Sequence, residues 1–231
     1  MARSVRDAAL LLSVQAGADA RAPLSIAEPG SAFAAPLDRD FKGTRLGWLG
    51  DFNGYLPMEK GILSLCEKAF GDFESLGCHI EPVQPEFAPE KLWSSWRTLR
   101  HWMVAGSLGA TYADPQKRAL LKPEACWEVE NGLKLSATEV FAASVTRSDW
   151  YRAISRLFEQ YDYLLLPSAQ VFPFDKTRPW PAAIEGVTMD TYHRWMEVVI
   201  PGTLSGCPVA NVQVVFNTSA TLPPCLEGRF C

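Results

Sequence analysis

The sequence predicts an α/β fold, and three neighbouring segments near residue 60 carry that prediction. Residues 42–52, "KGTRLGWLGDF", form a short apolar run framed by glycines, which is typical of a buried strand. Residues 57–77, "PMEKGILSLCEKAFGDFESLG", predict a helix with proline near its start and glycine at its end. Residues 78–85, "CHIEPVQP", predict a second strand. This succession indicates two parallel strands joined by a helix.

The first segment of the chain predicts an amphipathic helix with one apolar face. Its apolar side chains recur at spacings of three and four residues: Val5, Ala8, Ala9, Leu11, Leu12 and Ala16. The segment does not resemble a secretory signal, because Asp7 interrupts the charge of Arg3 and Arg6 and the apolar run is short. No later stretch approaches the roughly 18 apolar residues of a membrane span. We therefore expect a soluble, cytoplasmic protein.

Two longer helices are predicted in the middle of the chain, after a surface loop over residues 16–40. Residues 89–110 predict a helix whose tryptophans pack in the core rather than form a ligand site. Residues 136–161 predict a helix that begins with a capping box between Ser136 and Glu139. The face of this helix predicted to be buried consists of Val140, Val145, Tyr151, Ile154 and Phe158.

A proline-rich loop, residues 171–186, lies between the last two predicted strands. Residues 162–169, "DYLLLPSA", and residues 206–216 predict those strands, and residues 189–204 predict a helix before the second one. Ligands of α/β proteins bind at the carboxyl ends of strands, so the loop is a candidate pocket wall. The four segments expected to form one sheet covered by helices are residues 46–49, 79–83, 163–166 and 209–214.

Composition and residue spacing argue against several classes of site. A net charge of -4 gives no electrostatic reason to expect nucleic acid or an anionic membrane as a partner. The 6 cysteines are scattered without C-x-x-C spacing, which favours buried or inert thiols over a disulfide scaffold. The 3 histidines lie far apart in sequence and outside any H-E-x-x-H pattern, so we expect no metal site and no cofactor.

Five segments in the same order resemble the amidase signature family. They are "MARSVRDAALLL", "KGTRLGWLGDF", "AFGDFESLGCHIEPV", "RLFEQYDYLLLPSA" and "PGTLSGCPVANVQVVFN". Each motif is weak alone, but their order is specific, and they cover residues 1 to about 217. The resemblance implies a mixed central sheet with helices on both faces. Residues 218–231, "TSATLPPCLEGRFC", depart from the family pattern, and we interpret them as a truncated or frameshifted end.

The resemblance also implies a chemistry, hydrolysis of carboxamides by a Ser-Ser-Lys triad. In that family a nucleophilic serine is activated by a second serine and a neutral lysine, a variant of acyl transfer. These residues belong to a glycine- and serine-rich block that precedes the first matching segment, and this sequence contains no G-G-S-S-G stretch. We interpret the pair Ser94–Ser95 as ordinary helix surface, and Ser168 as a pocket residue rather than a nucleophile. No catalytic residue is therefore assigned.

The resulting hypothesis is the C-terminal half of an amidase, begun at an internal methionine, which keeps the substrate pocket but is inactive alone. Phe172, Phe174 and Trp195 are the predicted substrate-binding residues. We also expect bare apolar surface on the first helix and self-association through it. One alternative is the catalytic subunit of the glutaminyl-tRNA amidotransferase, for which Asp175 and Arg178 would supply polar pocket groups. Another is a non-catalytic truncated paralogue that acts as an interaction protein.

Overall fold

The computed structural model describes residues 2, 4–214 and 225–230 of the 231-residue chain. It divides into two compact units, residues 1–41 and residues 42–231. In the first unit, α1 (Val5–Gln15) begins at Ser4, whose hydroxyl accepts a hydrogen bond from the backbone N–H of Asp7. A 3-10 helix, Gly30–Ala34, follows. The predicted helix is confirmed, and none of the residues of α1 that the structure describes is buried.

The second unit contains the remaining elements. Its helices are α2 (Ile62–Lys68), α3 (Phe70–Ser75), α4 (Pro89–Ala113), α5 (Pro115–Arg118), α6 (Pro123–Gly132), α7 (Ala137–Phe158) and α8 (Ile200–Ser205), with a 3-10 helix over Arg194–Val199. Its strands are β1 (Arg45–Trp48), β2 (His79–Pro82), β3 (Tyr163–Pro167), β4 (Ala183–Ile184), β5 (Val187–Thr188), β6 (Ala210–Gln213) and β7 (Cys225–Phe230). In the part of the chain that the structure describes, no helix is long and apolar enough to cross a membrane.

Five strands form one mixed sheet in the order β2-β1-β3-β7-β6. β1 pairs in parallel with both β2 and β3, whereas β7 pairs antiparallel with β3 and β6. The α/β prediction and the four predicted strands of one sheet are thereby confirmed. The backbone of residues 225–230, which belong to the segment interpreted as an atypical tail, forms β7 in this sheet.

Two segments predicted as single helices are each divided into two shorter elements, so these predictions were wrong. The helix expected over residues 57–77 begins only after Gly61, whose φ of 103° is left-handed, and it breaks into α2 and α3 at Ala69. The break turns the ring of Phe70 edge-on to Trp48, with ring centroids 5.3 Å apart. The helix expected over residues 189–204 is a 3-10 segment followed by α8, because Pro201 has no N–H to continue an earlier helix.

The buried face of α7 was also predicted only in part. Val145 and Tyr151 are 43% and 54% exposed, so assigning them to the core was wrong. The buried residues are Ala143, Trp150, Ala153, Ile154 and Leu157. The predicted set contained spacings of five and six residues, which no single helix face can follow, whereas the observed set repeats at three, four and seven. The capping box of Ser136 and Glu139 is confirmed.

The hydrophobic core joins the sheet to α4, α7 and α8. Trp150 is fully buried in it, and its indole N–H donates to the carbonyl oxygen of Pro201 at 2.9 Å. Trp93 is also buried, as predicted for the tryptophans of α4, but Trp102 on the same helix is 55% exposed. The core therefore fixes α8, and the 3-10 segment that runs directly into it, against β3 and α7.

Candidate functional site

The loop after β3 is held in place by Gln170, which is completely buried. Its side-chain amide donates to the carbonyl oxygen of Pro57 at 3.0 Å and accepts from the backbone N–H of Val198 at 3.1 Å. Its own carbonyl oxygen accepts from the N–H of Glu59 at 2.8 Å. One side chain thus ties the β3 loop both to the turn before α2 and to the 3-10 segment.

This arrangement forms a cavity of about 400 Å³, which we call the loop cavity. Phe172 and Phe174 line it, and the N–H of Phe172 donates to Glu59 Oε2 at 2.8 Å. The ring of Trp195 meets Phe174 edge-on, with centroids 5.4 Å apart and planes 88° apart. Trp195 is itself fixed by an indole N–H that donates to the carbonyl oxygen of Tyr192. The three predicted substrate-binding residues therefore lie in or directly behind one cavity.

The loop cavity also carries charged groups. Asp175 and Arg178 both line it, together with Glu59 and Glu185. The backbone N–H and the hydroxyl of Thr177 both donate to the carboxylate of Asp175. These two hydrogen bonds lower the pKa of that carboxyl, and the one from the backbone has the larger effect. The carboxylate of Glu185 accepts from the N–H of Lys60. The pocket therefore combines an aromatic side with a rim that holds three carboxylates and one guanidinium.

A second constellation, centred on Glu128, was not predicted from the sequence. α4 supplies Arg100 and His101, α6 supplies Glu128, and the segment before the 3-10 helix supplies Tyr192 and His193. Arg100 Nε, His193 Nε2 and the Tyr192 hydroxyl lie 2.6, 2.7 and 2.7 Å from Glu128 Oε1. His101 Nδ1 lies 2.5 Å from Oε2. We call these five residues the Glu128 cluster.

Both carboxylate oxygens of Glu128 are in contact with donor groups of the cluster. Only 1% of the Glu128 side chain is exposed, so burial alone would raise its pKa. Hydrogen bonds from His101, His193, Tyr192 and Arg100 outweigh burial and hold that pKa far below its usual range. α6 approaches α4 closely enough for these contacts because residue 132 is glycine; a Cβ there would collide with the carbonyl oxygen of His101. His193 Nδ1, on the other side of the ring, is buried and has no hydrogen-bond partner among the described residues.

Three residues of the Glu128 cluster line a larger cavity, which we call the helix cavity. Its volume is about 640 Å³. The three are Arg100, Glu128 and Tyr192. The other lining residues are Val104, Leu108, Leu120, Leu121, Lys122, Glu124, Ala125, Pro179 and Trp180. The short segment of residues 178–181 contributes to both cavities, with Arg178 and Pro181 in one and Pro179 and Trp180 in the other.

A third buried carboxylate, Glu197, lies in the 3-10 segment and is 3% exposed. The Tyr55 hydroxyl donates to its Oε1 at 2.8 Å. Arg194 Nε lies 2.7 Å from Oε2, without the alignment of a hydrogen bond. Burial raises the pKa of Glu197 to about 7, and the charge of Arg194 offsets only part of that effect.

Ser94, Ser95 and Cys66 occupy ordinary structural positions. Ser94 is on the helix surface as predicted, but Ser95 is buried, so the surface assignment was wrong for it. The Ser95 hydroxyl donates to the carbonyl oxygen of Ala143 and so links α4 to α7. Burial raises the pKa of the Cys66 thiol to about 12. Within the described residues, no group of three or more His, Cys, Asp or Glu could hold a metal ion.

Comparison with known proteins decides the family, because the amidase family matches over residues 1–225. The chain belongs to the amidase signature family. An acylamidase from Rhodococcus erythropolis is 25% identical over 190 residues, covering 81% of this chain and 39% of the relative. A subunit of the glutamyl-tRNA(Gln) amidotransferase from Thioalkalivibrio sulfidiphilus is 32% identical over 83 residues, 36% of this chain and 17% of that protein.

A solved structure shows the same fold in another amidase signature protein. The structure of a bacterial aryl acylamidase superimposes with a TM-score of 0.86 at 23% identity, covering 99% of this chain and 48% of that one. The chain therefore spans less than half the length of these relatives.

Proposed function

We propose that this chain supplies the substrate-binding part of a carboxamide hydrolase whose substrates carry an aryl or alkyl group. The observation that carries the proposal is the loop cavity, where Phe172 and Phe174 present aromatic surface and Trp195 packs edge-on behind Phe174. Aromatic walls with a few polar groups at the rim suit an amide with an apolar body. The likeness to an acylamidase supports the same class of substrate.

The hydrolytic step is not assigned to this chain. Amide cleavage needs an activated nucleophile and hydrogen-bond donors aimed at the developing oxyanion, and together these supply most of the rate enhancement. Among the described residues that line the loop cavity there is no serine and no lysine, and the hydroxyl of Ser95 is directed at a helix carbonyl. A pocket that only binds substrate cannot replace those groups.

Binding and turnover are therefore tested separately on the purified chain. Acetanilide should bind, as followed by saturation-transfer NMR, and Phe174→Ala should weaken its binding about five- to tenfold through lost aromatic contact. Phe141→Ala, which removes a ring that is 72% exposed on α7, is the matched control and should change nothing.

Turnover is measured with 4-nitroacetanilide, whose hydrolysis releases coloured 4-nitroaniline. The chain alone should give no rate above buffer. A rate that disappears with Ser94→Ala, Ser95→Ala or Ser168→Ala would contradict the absence of the triad. Hydrolysis that appears only when a polypeptide with the G-G-S-S-G block is added would support it.

A glutamine-binding function is the second candidate, because Asp175 and Arg178 both line the loop cavity. The local similarity to the glutamyl-tRNA(Gln) amidotransferase also favours this candidate. The two candidates are separated by comparing L-glutamine with acetanilide in the binding experiment. Binding of L-glutamine that is lost in Arg178→Ala, with no binding of acetanilide, would replace the first candidate by the second.

A further inference from the structure

The helix cavity has the dimensions and lining of a ligand site. Its volume of about 640 Å³ lies within the range of roughly 300–1,000 Å³ that is usual for small-molecule pockets. Its walls are mainly apolar, and the aromatic surface comes from Trp180 and Tyr192. Its polar groups come from three residues of the Glu128 cluster and from Lys122 and Glu124. Mostly apolar walls with a few fixed polar groups are the usual construction of a specific pocket.

The Glu128 cluster holds one hydrogen-bond donor ready for such a ligand. Arg100 Nε donates to Glu128 Oε1, and Nη2 lies 3.4 Å from the Tyr192 hydroxyl. Among the described residues, Nη1 is the guanidinium nitrogen for which no hydrogen-bond partner is present. The side chain is 34% exposed, and the guanidinium lies over the ring of Trp96 at 5.4 Å. Glu128 and Tyr192 therefore hold Arg100 through Nε and Nη2.

The charges around the cavity decide what kind of acceptor fits. The two cationic lining residues, Arg100 and Lys122, are balanced by two carboxylates, Glu124 and Glu128. His101 Nδ1 and His193 Nε2 both contact the Glu128 carboxylate, and Arg100 Nε also lies 2.9 Å from His193 Nε2. A ligand anion would bring a third negative charge into a site whose cations are already matched. An uncharged acceptor meets no such repulsion.

We propose that the helix cavity binds an uncharged ligand with an aryl or alkyl body and a carbonyl oxygen that accepts a hydrogen bond from Arg100. This site shares no lining residue with the loop cavity, and it does not depend on the amidase proposal. Glu128 is a positioning residue of the site, because it holds Arg100 and Tyr192 in place.

The test uses three diphenyl compounds that differ in one group and contain no amide. Benzophenone has the carbonyl, diphenylmethane lacks it, and diphenylacetate carries a negative charge. Dissociation constants are measured on the full chain by saturation-transfer NMR. Benzophenone should bind about tenfold tighter or more than either of the others, since a hydrogen bond from a charged donor in a pocket gives about that preference.

Two variants locate the binding. Arg100→Met keeps an apolar stem and should abolish the preference for benzophenone over diphenylmethane. Ala125→Phe fills the cavity from α6 and replaces no residue of the Glu128 cluster, and it should abolish binding of both compounds even if Arg100→Met fails to fold. Phe141→Ala removes an exposed ring of α7 that lines neither cavity and should leave the constants unchanged.

Three results would overturn the proposal. Equal or absent binding of benzophenone and diphenylmethane by the unmodified chain would remove the role of the carbonyl. Tighter binding of diphenylacetate would make the site an anion site. Loss of benzophenone binding in Phe174→Ala would move the ligand to the loop cavity.

Discussion

Replacing Glu197 by glutamine should change the pH dependence of stability. The unfolded chain releases this proton near pH 4.5, whereas burial raises the folded-state pKa to about 7. Between these values the folded state binds more protons than the unfolded state, so the free energy of unfolding falls as pH rises through the window. Above pH 7 the full penalty of a buried carboxylate remains. The group therefore favours the folded state at low pH and opposes it at high pH.

The size of the effect follows from the same values. A rise from 4.5 to about 7 corresponds to about 3 kcal/mol, at about 1.4 kcal/mol per pH unit. Most of this falls between pH 5 and pH 8. Glu197→Gln keeps an oxygen that accepts from the Tyr55 hydroxyl but has no proton to lose. The stability of the variant relative to the original chain should therefore increase by about 2–3 kcal/mol from pH 5 to pH 8.

Urea unfolding at the two pH values, followed by tryptophan fluorescence, measures this difference directly. The comparison between variant and original chain cancels the contributions of all other titrating groups. Glu67→Gln removes an exposed carboxyl of α2 and is the control, for which no pH dependence of the difference is expected. If Glu197→Gln shows the same difference in stability at pH 5 and at pH 8, the carboxyl is not held protonated by burial and the reasoning is refuted.

Three further predictions concern a helix cap, the packing of the core and the exposed apolar surface of α1. Ser136→Ala removes the capping box of α7 and should lower the free energy of unfolding in urea by about 1 kcal/mol; no loss would mean that the cap is redundant. Trp150→Phe leaves the Pro201 carbonyl unpaired and a void in the core, so it should cost about 2–4 kcal/mol in the same assay. Trp102→Phe, at an exposed position, should cost almost nothing, and equal losses would contradict the burial argument. Because α1 exposes its apolar side chains, the chain should bind a hydrophobic dye and self-associate in sedimentation, and Leu10→Lys should reduce both; a monomer that binds no dye would contradict this.

The strands were predictable because their signal is local. The run "YLLLP" of β3 is apolar at every position and ends at proline, which is the pattern of a strand buried on both faces. β7 has no such run, since two charged residues flank a glycine in the middle of "CLEGRF". Its place is set by backbone pairing with β3 and β6. The helix breaks at Ala69 and Pro201 likewise depend on what each short helix packs against, which local periodicity does not contain.

The sequence also predicted the substrate-pocket residues but not the Glu128 cluster, because only the former have a local signal for a site. Phe172 and Phe174 follow the end of a strand, and ligands of α/β folds bind at the carboxyl ends of strands. Glu128 lies in the helix segment "CWEVEN", where it stands between an aromatic and a valine. An acidic residue directly between a tryptophan and a valine is the signal that was available. It predicts burial of a charge, but it does not identify the donors that make such burial stable.

Those donors come from distant parts of the chain. They converge because a buried carboxylate must be hydrogen-bonded. A carboxylate with 1% exposure is tolerated only when its lone pairs are occupied, because an unpaired buried charge destabilises a fold by several kcal/mol. Four donors from α4 and from residues 192–193 meet that requirement. The two histidines, which are far apart in sequence, are therefore neighbours across one carboxylate. Since residue 192 also accepts the indole hydrogen bond of Trp195, the cluster that borders the helix cavity fixes the ring behind the loop cavity as well. A change at Glu128 should consequently disturb both cavities, whereas a change at Phe174 should disturb only one.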